Sequence, residues 1–342
     1  MSQTASPVES AGSVLMVEDL RVTYRLRSSL LSGLFGRQAA GARAVDGVSL
    51  DIKRGEITAL AGESGCGKTT LARTLMGLQK PTGGRVLFDG EPINDLRAYR
   101  RRVQMIFQDP TGALNPRQTI YESVAEGLRI HRVHGDEEER VARALSQAGL
   151  RPPERFFLLY PHEVSGGQRQ RVVIAGALVL EPEVIIADEP VSMLDASVRG
   201  EILRLLLKLR DELGLTILLV THDLGLAWTV ADRVTVMYLG RIVEDGPAEE
   251  VLVNPQHPYT RALLAVAEES PEAERQTQRP ILFGEPPDPT RIPQGCRFHP
   301  RCPEVASGRA QRAGILARCK GEDPSLIDVG RQHVSACWLS DG

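Results

Sequence analysis

Residues 56–78, EITALAGESGCGKTTLARTLMGL, narrow the fold more than any other stretch of this chain. A short apolar strand runs into a glycine-rich turn and then into a helix with apolar 3.6-residue periodicity, the first half of a βαβ unit. Such units build parallel sheets, so the chain reads as α/β. The turn itself, Gly62-Glu63-Ser64-Gly65-Cys66-Gly67-Lys68-Thr69 followed by Thr70, fits the pattern G-x-x-x-x-G-K-[ST]. There, glycine freedom lets successive backbone N–H groups wrap a phosphate at a helix N-terminus. Lys68 would reach the β and γ phosphates, and Thr69 would ligate magnesium. The bland alternative is a glycine-rich turn with a surface lysine.

Two more apolar runs, EVIIADEP (183–190) and LTILLVTHD (215–223), end in polar residues. Central strands of a parallel sheet read this way, buried on both faces with their chemistry at the carboxyl ends. The pair Asp188-Glu189 then offers a magnesium-directed carboxylate and a second one able to orient or deprotonate water. An exposed acidic strand end is the competing reading, which the phosphate loop upstream disfavours. Near the start, LMVEDLRVTYRL and RAVDGVSLDI alternate as half-buried strands and bracket an insertion at 27–43. That insertion holds Arg27, Arg37 and Arg43 without an acidic residue. A solvated hairpin tip or a contact to lipid or a partner would both suit it, and it is given no function.

Composition removes several classes. With 42% hydrophobic and 25% charged residues in 342, the chain is neither disordered nor a disulfide scaffold. Its 41 basic and 44 acidic residues leave a net charge of −3, and only 4% are aromatic, so nucleic acid is not an expected partner. The opening MSQTASPVES has no basic or apolar region of a leader, and the apolar run 172–180 is half a membrane span. The chain is expected neither to be secreted nor to cross a bilayer itself.

At this point the sequence resembles the ATP-binding-cassette ATPases. Val164-Ser165-Gly166-Gly167-Gln168-Arg169-Gln170-Arg171 is similar to their signature motif, and Ser165 is a good N-cap for a helix presenting its positive end to an anion. Gln108 in MIFQDP, Asp195 in Ser192-Met193-Leu194-Asp195 and His222 in LLVTHD match further marks of the family in order. The resemblance implies a nucleotide-binding domain of the P-loop NTPase class, with a RecA-like core, an antiparallel β subdomain and a helical subdomain at about 110–180. It implies ATP and Mg²⁺ as cofactors, with Mg²⁺ held through Thr69, Gln108 and Asp188. It makes Glu189, His222 and Gln108 catalytic and Asp195 a dimer contact. Ser165, Gly166, Gly167 and Gln168 would act on the ATP of the opposite subunit. Tyr24 falls where the family places an aromatic that stacks on adenine, although a core tyrosine is the rival reading. Val164 and Met193 depart from the commoner residues without removing a catalytic group.

Two phrases, QDPTGALNPRQTIYESVAEGL (108–128) and NPQHPYTRALL (254–264), resemble the oligopeptide/dipeptide importer branch. The second also reads as a turn opening a helix, a fingerprint rather than chemistry. The organisation then reads as a tail at 1–13, a cassette at 14–260 and a Pro/Cys-rich extension at 261–342. Eight of the 22 prolines lie between residues 271 and 303, which argues for extended, loop-built chain there. Cys296, Cys302, Cys319 and Cys337 gather in the extension, leaving only Cys66 elsewhere. Four thiolates suit tetrahedral zinc or an iron–sulfur cluster, but their intervals match no compact C-x-x-C rule. Resemblance to the family's extension implies a 4Fe–4S cluster. Zinc, or free or paired thiols, remain open, with His299 and His333 as substitute ligands.

The resulting expectation is an ATPase subunit, peripheral on the cytoplasmic membrane face, that powers peptide import. Its implied partners are two permease subunits, a second identical or non-identical ATPase and an extracytoplasmic solute-binding protein. Alternatives are the same role for nickel or another small solute, an exporter ATPase, or a soluble cassette ATPase without a transport role.

Overall fold

The computed structural model describes residues 12–25, 41–267 and 287–340. Most of the arginine-bearing insertion, and the first eleven residues of the tail, fall outside them. Arg43 is described; it lies in β2 and its Nη1 stands 3.5 Å from Oδ2 of Asp46. The alternating segments form β1 (Ser13–Arg25) and β2 (Gly41–Lys53), paired antiparallel. Next come β3 (Ile57–Ala61), α1 (Lys68–Leu75), β4 (Gly83–Phe88) and β5 (Glu91–Pro92). One sheet runs β2-β1-β4-β5 and is the expected antiparallel layer.

After α2 (Leu96–Arg102) and β6 (Val103–Ile106), the chain turns helical: α3 (Pro110–Ala113), α4 (Ile120–His131), α5 (Glu137–Gln147) and α6 (Gly166–Leu178). Each start has a reason in sequence. Asp109, Thr119, Asp136 and Ser165 accept backbone N–H bonds as N-caps, and Thr119 and Ser165 form full capping boxes with Glu122 and Gln168. Apolar stripes holding Leu128, Leu145 and Ile174 merge into one core under these helices.

The remaining elements are β7 (Val184–Asp188), α7 (Ala196–Leu213), β8 (Thr216–Thr221), α8 (Leu224–Val230), β9 (Arg233–Tyr238), β10 (Arg241–Pro247), α9 (Ala248–Val253) and α10 (Pro258–Ala267). Beyond residue 287 follow α11 (Pro303–Ala306), α12 (Arg309–Arg312), α13 (Leu316–Gly321), β11 (Ile327–Gly330) and β12 (His333–Ser335). The second sheet runs β11-β12-β10-β9-β3-β8-β7-β6, with β9, β3, β8, β7 and β6 parallel. Strands β3, β7 and β8 are buried at every residue, as their unbroken apolar sequence requires. Because they run the same way, the loops after β3, β6, β7 and β8 open on one edge of the sheet.

The C-terminal extension continues this sheet. Strand β12 pairs with β10 at Glu244↔Ser335, and the fully buried Glu244 binds Nε2 of His333 at 2.8 Å and the His257 amide at 3.1 Å. Tyr238, Tyr259 and Phe298 pack tilted or edge-on against each other with ring centroids 4.6 to 5.3 Å apart, so aromatic packing joins the cassette to the extension.

Candidate active site

The turn after β3 wraps as its glycines allow. Gly67 has φ +116°, and a Cβ there would lie 2.0 Å from the Ala44 carbonyl oxygen; at Gly62 a Cβ would lie 2.2 Å from that of Met237. No other residue fits either position, which is the physical reason for the pattern. Ser64, Gly65, Gly67, Lys68, Thr69 and Thr70 line a cavity of ≈ 800 Å³. Lys68 is buried and donates from Nζ to the carbonyls of Gly62 at 2.7 Å and Glu63 at 2.9 Å. Cys66 also belongs to the loop but packs inward, where burial pushes its thiol pKa up.

Strand ends β6, β7 and β8 supply the opposite wall. Gln108, Glu189 and His222 line the same cavity, and the Glu189 carboxylate is held between the other two. Nε2 of Gln108 donates to its Oε2 at 3.1 Å, and Nδ1 of His222 stands 3.3 Å from its Oε1. Glu189 itself sits at φ +47°, in the left-handed region that costs a non-glycine residue energy. Its amide bonds to the Val220 carbonyl at 3.0 Å, so the adjacent strand holds the strained turn. Thr69 donates to Oδ1 of Asp188 at 3.3 Å, and burial raises the Asp188 pKa, which that hydrogen bond partly offsets. Thr69 and Asp188 thus meet at one end of the loop, and Gln108 lines the same cavity as Thr69; their oxygens are of the hard kind that Mg²⁺ takes.

Other expected site residues stand apart from this cavity. Ser165 to Gln168 cap α6 on a different face, with Ser165 N to Gln168 Oε1 at 3.0 Å and Gln168 N to Ser165 Oγ at 3.2 Å. Asp195 is exposed at the start of α7 beside the exposed Met193. Tyr24 is 42% exposed on β1 opposite Ala42, which argues against the core-tyrosine reading. The four cysteines of the extension do converge: all line one cavity of ≈ 20 Å³ with Phe298, Val305 and Ile315. Burial pushes the thiols of Cys296 and Cys302 up to about 12 and about 11. Among the described residues, however, no group of three or more His, Cys, Asp or Glu side chains is spaced to hold a metal ion.

Comparison with known proteins explains this arrangement. Residues 45–192 match the ABC transporter family, and residues 243–308 match the family described as oligopeptide/dipeptide transporter, C-terminal region. The oligopeptide transport ATP-binding protein AppF of Bacillus subtilis is 41% identical over 335 residues, 95% of this chain and 97% of that protein. The chain belongs to the ATP-binding-cassette ATPases, in their oligopeptide/dipeptide branch. A putative peptide import ATP-binding protein of Brucella ovis is 44% identical over 331 residues, again 95% and 97% of the two chains. Among solved structures, CbiO1 of Clostridium perfringens, part of an ABC transporter complex, aligns with TM-score 0.61 and 34% identity over 71% of this chain and 92% of its own. The cassette MJ0796, solved as a dimer bound to ADP and Pi, aligns with TM-score 0.59 and 31% identity over 68% and 98%. The protein is accordingly an ATPase that uses ATP and Mg²⁺.

Two further residues reach the phosphate loop without belonging to any motif of the cassette. The Tyr259 hydroxyl accepts a hydrogen bond from the Glu63 amide at 2.8 Å, and Arg301 pairs with the Glu63 carboxylate. The phrase His257-Pro258-Tyr259-Thr260, which in sequence reads only as a fingerprint of the branch, therefore touches the nucleotide site. No local pattern marks either contact.

Proposed function

We propose that this protein is the ATP-hydrolysing subunit that powers peptide import through separate permease subunits at the cytoplasmic membrane face. The observation that carries the proposal is the union of the two family matches in one sheet: the strand holding Glu244, inside the oligopeptide/dipeptide region, lies beside the strand that neighbours the phosphate loop's own. The peptide transport named for its relatives supports the cargo.

In the cycle, the loop amides and Lys68 would bind the phosphates, and Thr69 and Asp188 would hold Mg²⁺, which would supply positive charge against the transferred phosphoryl group. Glu189 orients and deprotonates the attacking water, held in place by Gln108 and His222. Ser165 and the amides that follow it close on the ATP of a second cassette, whose Asp195 region meets this one. Tyr24 stacks on adenine. The exposed Phe107 beside Gln108 offers the permease a surface through which nucleotide state is felt. No described helix is long and apolar enough to cross a membrane, so the force must pass to other chains.

The extension's thiols form the second part of the proposal. Cys296, Cys302, Cys319 and Cys337 would hold a 4Fe–4S cluster, or zinc, as a structural staple once drawn together, since as they stand they are not spaced for a metal ion. Four sulfur donors on one small cavity suit either group in kind, and deprotonation by the metal would overcome the raised thiol pKa values. Iron, sulfide and zinc contents of anaerobically purified protein separate cluster, zinc and metal-free thiols. The import role is tested by isolating the Glu189→Gln form with ATP from native membranes in mild detergent. Two permeases, a second ATPase and a solute-binding protein are expected with it. Permeases alone indicate export, and no membrane protein indicates a soluble ATPase.

A further inference from the structure

The phosphate loop carries a carboxylate, that of Glu63. Glu63 is the residue after Gly62 and lines the phosphate cavity, and its carbonyl already holds Nζ of Lys68. A free carboxylate here would repel the triphosphate and compete for the lysine that the β and γ phosphates need.

The extension supplies the countercharge. Arg301 places Nη1 2.8 Å from Oε2 and Nη2 3.0 Å from Oε1 of Glu63, a two-pronged pair of the strong kind. Arg301 is only 6% exposed and lies with its guanidinium carbon 5.9 Å from the Tyr238 ring centre. The pairing raises its pKa, so it stays charged. The same glutamate is fixed a second time by its amide on the Tyr259 hydroxyl. Backbone and side chain of one loop residue are therefore both anchored to the segment that follows the cassette's last sheet strands.

We propose that Arg301 is a positioning residue of the ATP site, neutralising the Glu63 carboxylate and holding it away from the phosphates so that the loop accepts a polyanion. Arg301 is not among the residues that line the phosphate cavity; it acts through Glu63. This inference rests on the ATPase site and is independent of what is transported. A carboxylate in the phosphate loop and an arginine 238 residues later form one functional unit, which makes the extension part of the nucleotide site.

The test is a titration of the full chain with a fluorescent ATP analogue and Mg²⁺, together with KM and kcat for ATP hydrolysis, on Arg301→Ala, Glu63→Gln and the double variant. Arg301→Ala is expected to weaken binding roughly tenfold or more, as loss of a partner from a desolvated pair does, with kcat at saturating ATP little changed. Glu63→Gln belongs to the phosphate loop itself and serves only as the background against which the double variant is read. The double variant should recover most of the loss, because the charge left unpaired by Arg301→Ala is then gone. A purely structural role predicts the reverse, a double variant at least as weak as Arg301→Ala, and that result overturns the proposal. So does a loss in Arg301→Ala confined to kcat. Should Arg301→Ala not fold, Arg301→Gln removes the charge while filling the site, and the same comparison with Glu63→Gln/Arg301→Gln applies.

Discussion

The Tyr259 hydroxyl lies 2.8 Å from the Glu63 amide nitrogen, although 196 residues separate them in sequence. The ring is buried between Tyr238 and Phe298, and burial raises its pKa, so it is a neutral phenol that accepts the loop's hydrogen bond. Tyr259→Phe keeps the ring and orphans one loop N–H, at a cost of about 1 kcal/mol. ATP affinity should fall a few-fold and the melting temperature by about 2–4 °C, by titration and thermal melting. Unchanged affinity would mean that the loop needs no anchor there.

Glu189 lies between Gln108 and His222 at 3.1 and 3.3 Å. Glu189→Gln keeps the shape and most hydrogen-bonding capacity while removing the base. Hydrolysis is expected to drop roughly 10²- to 10⁴-fold with ATP binding retained. Single-turnover hydrolysis beside a binding titration measures both, and normal turnover would falsify the role.

Ser165 caps α6 and lies away from its own chain's phosphate cavity. Ser165→Ala should cost about 1 kcal/mol of stability through the lost cap. It should also lower ATPase activity without changing the single chain's ATP affinity. An affinity loss measured at concentrations where the protein is monomeric would place the serine on its own chain's nucleotide instead.

His257 is fully buried, and burial lowers its pKa from 6.5 to about 4 despite the nearby Glu244. Between these values the unfolded chain takes up a proton that the folded chain refuses, so stability falls as pH drops through that window and is flat above it. The loss amounts to about 3 kcal/mol by pH 4. His257→Asn, which retains an acceptor for the Tyr259 amide, should be less pH-sensitive between pH 7 and 5 in urea denaturation. Equal slopes for both proteins would remove His257 as the cause.

Much of this molecule is legible in its residues alone. Glycine at 62 and 67, unbroken apolar strands and the capping Ser165 each express a local requirement: a turn only glycine can make, a strand buried on both faces, a helix start with an unpaired amide. Those requirements leave their mark on neighbouring residues, so the phosphate loop, Asp188, Glu189 and the helix after Ser165 read in order along the chain. Side-chain direction is less visible. Tyr24 suits either a core position or an adenine contact by type and position, and only its exposure on β1 speaks against the core.

Contacts between distant segments leave no such mark. Arg301 meeting Glu63 and His333 meeting the buried Glu244 require the extension to pack against the cassette, as β12 does on β10, and Tyr259 meets a loop amide 196 residues away. A charge pair or a hydroxyl acceptor imposes nothing on its sequence neighbours, and any arginine or tyrosine in the extension would look the same. The chemistry at the strand ends is written in the order of the residues, because it needs particular side chains at fixed short spacings. That the extension reaches into the nucleotide site is a property of the folded chain alone, because a few ångströms of separation can join residues that hundreds of peptide bonds keep apart.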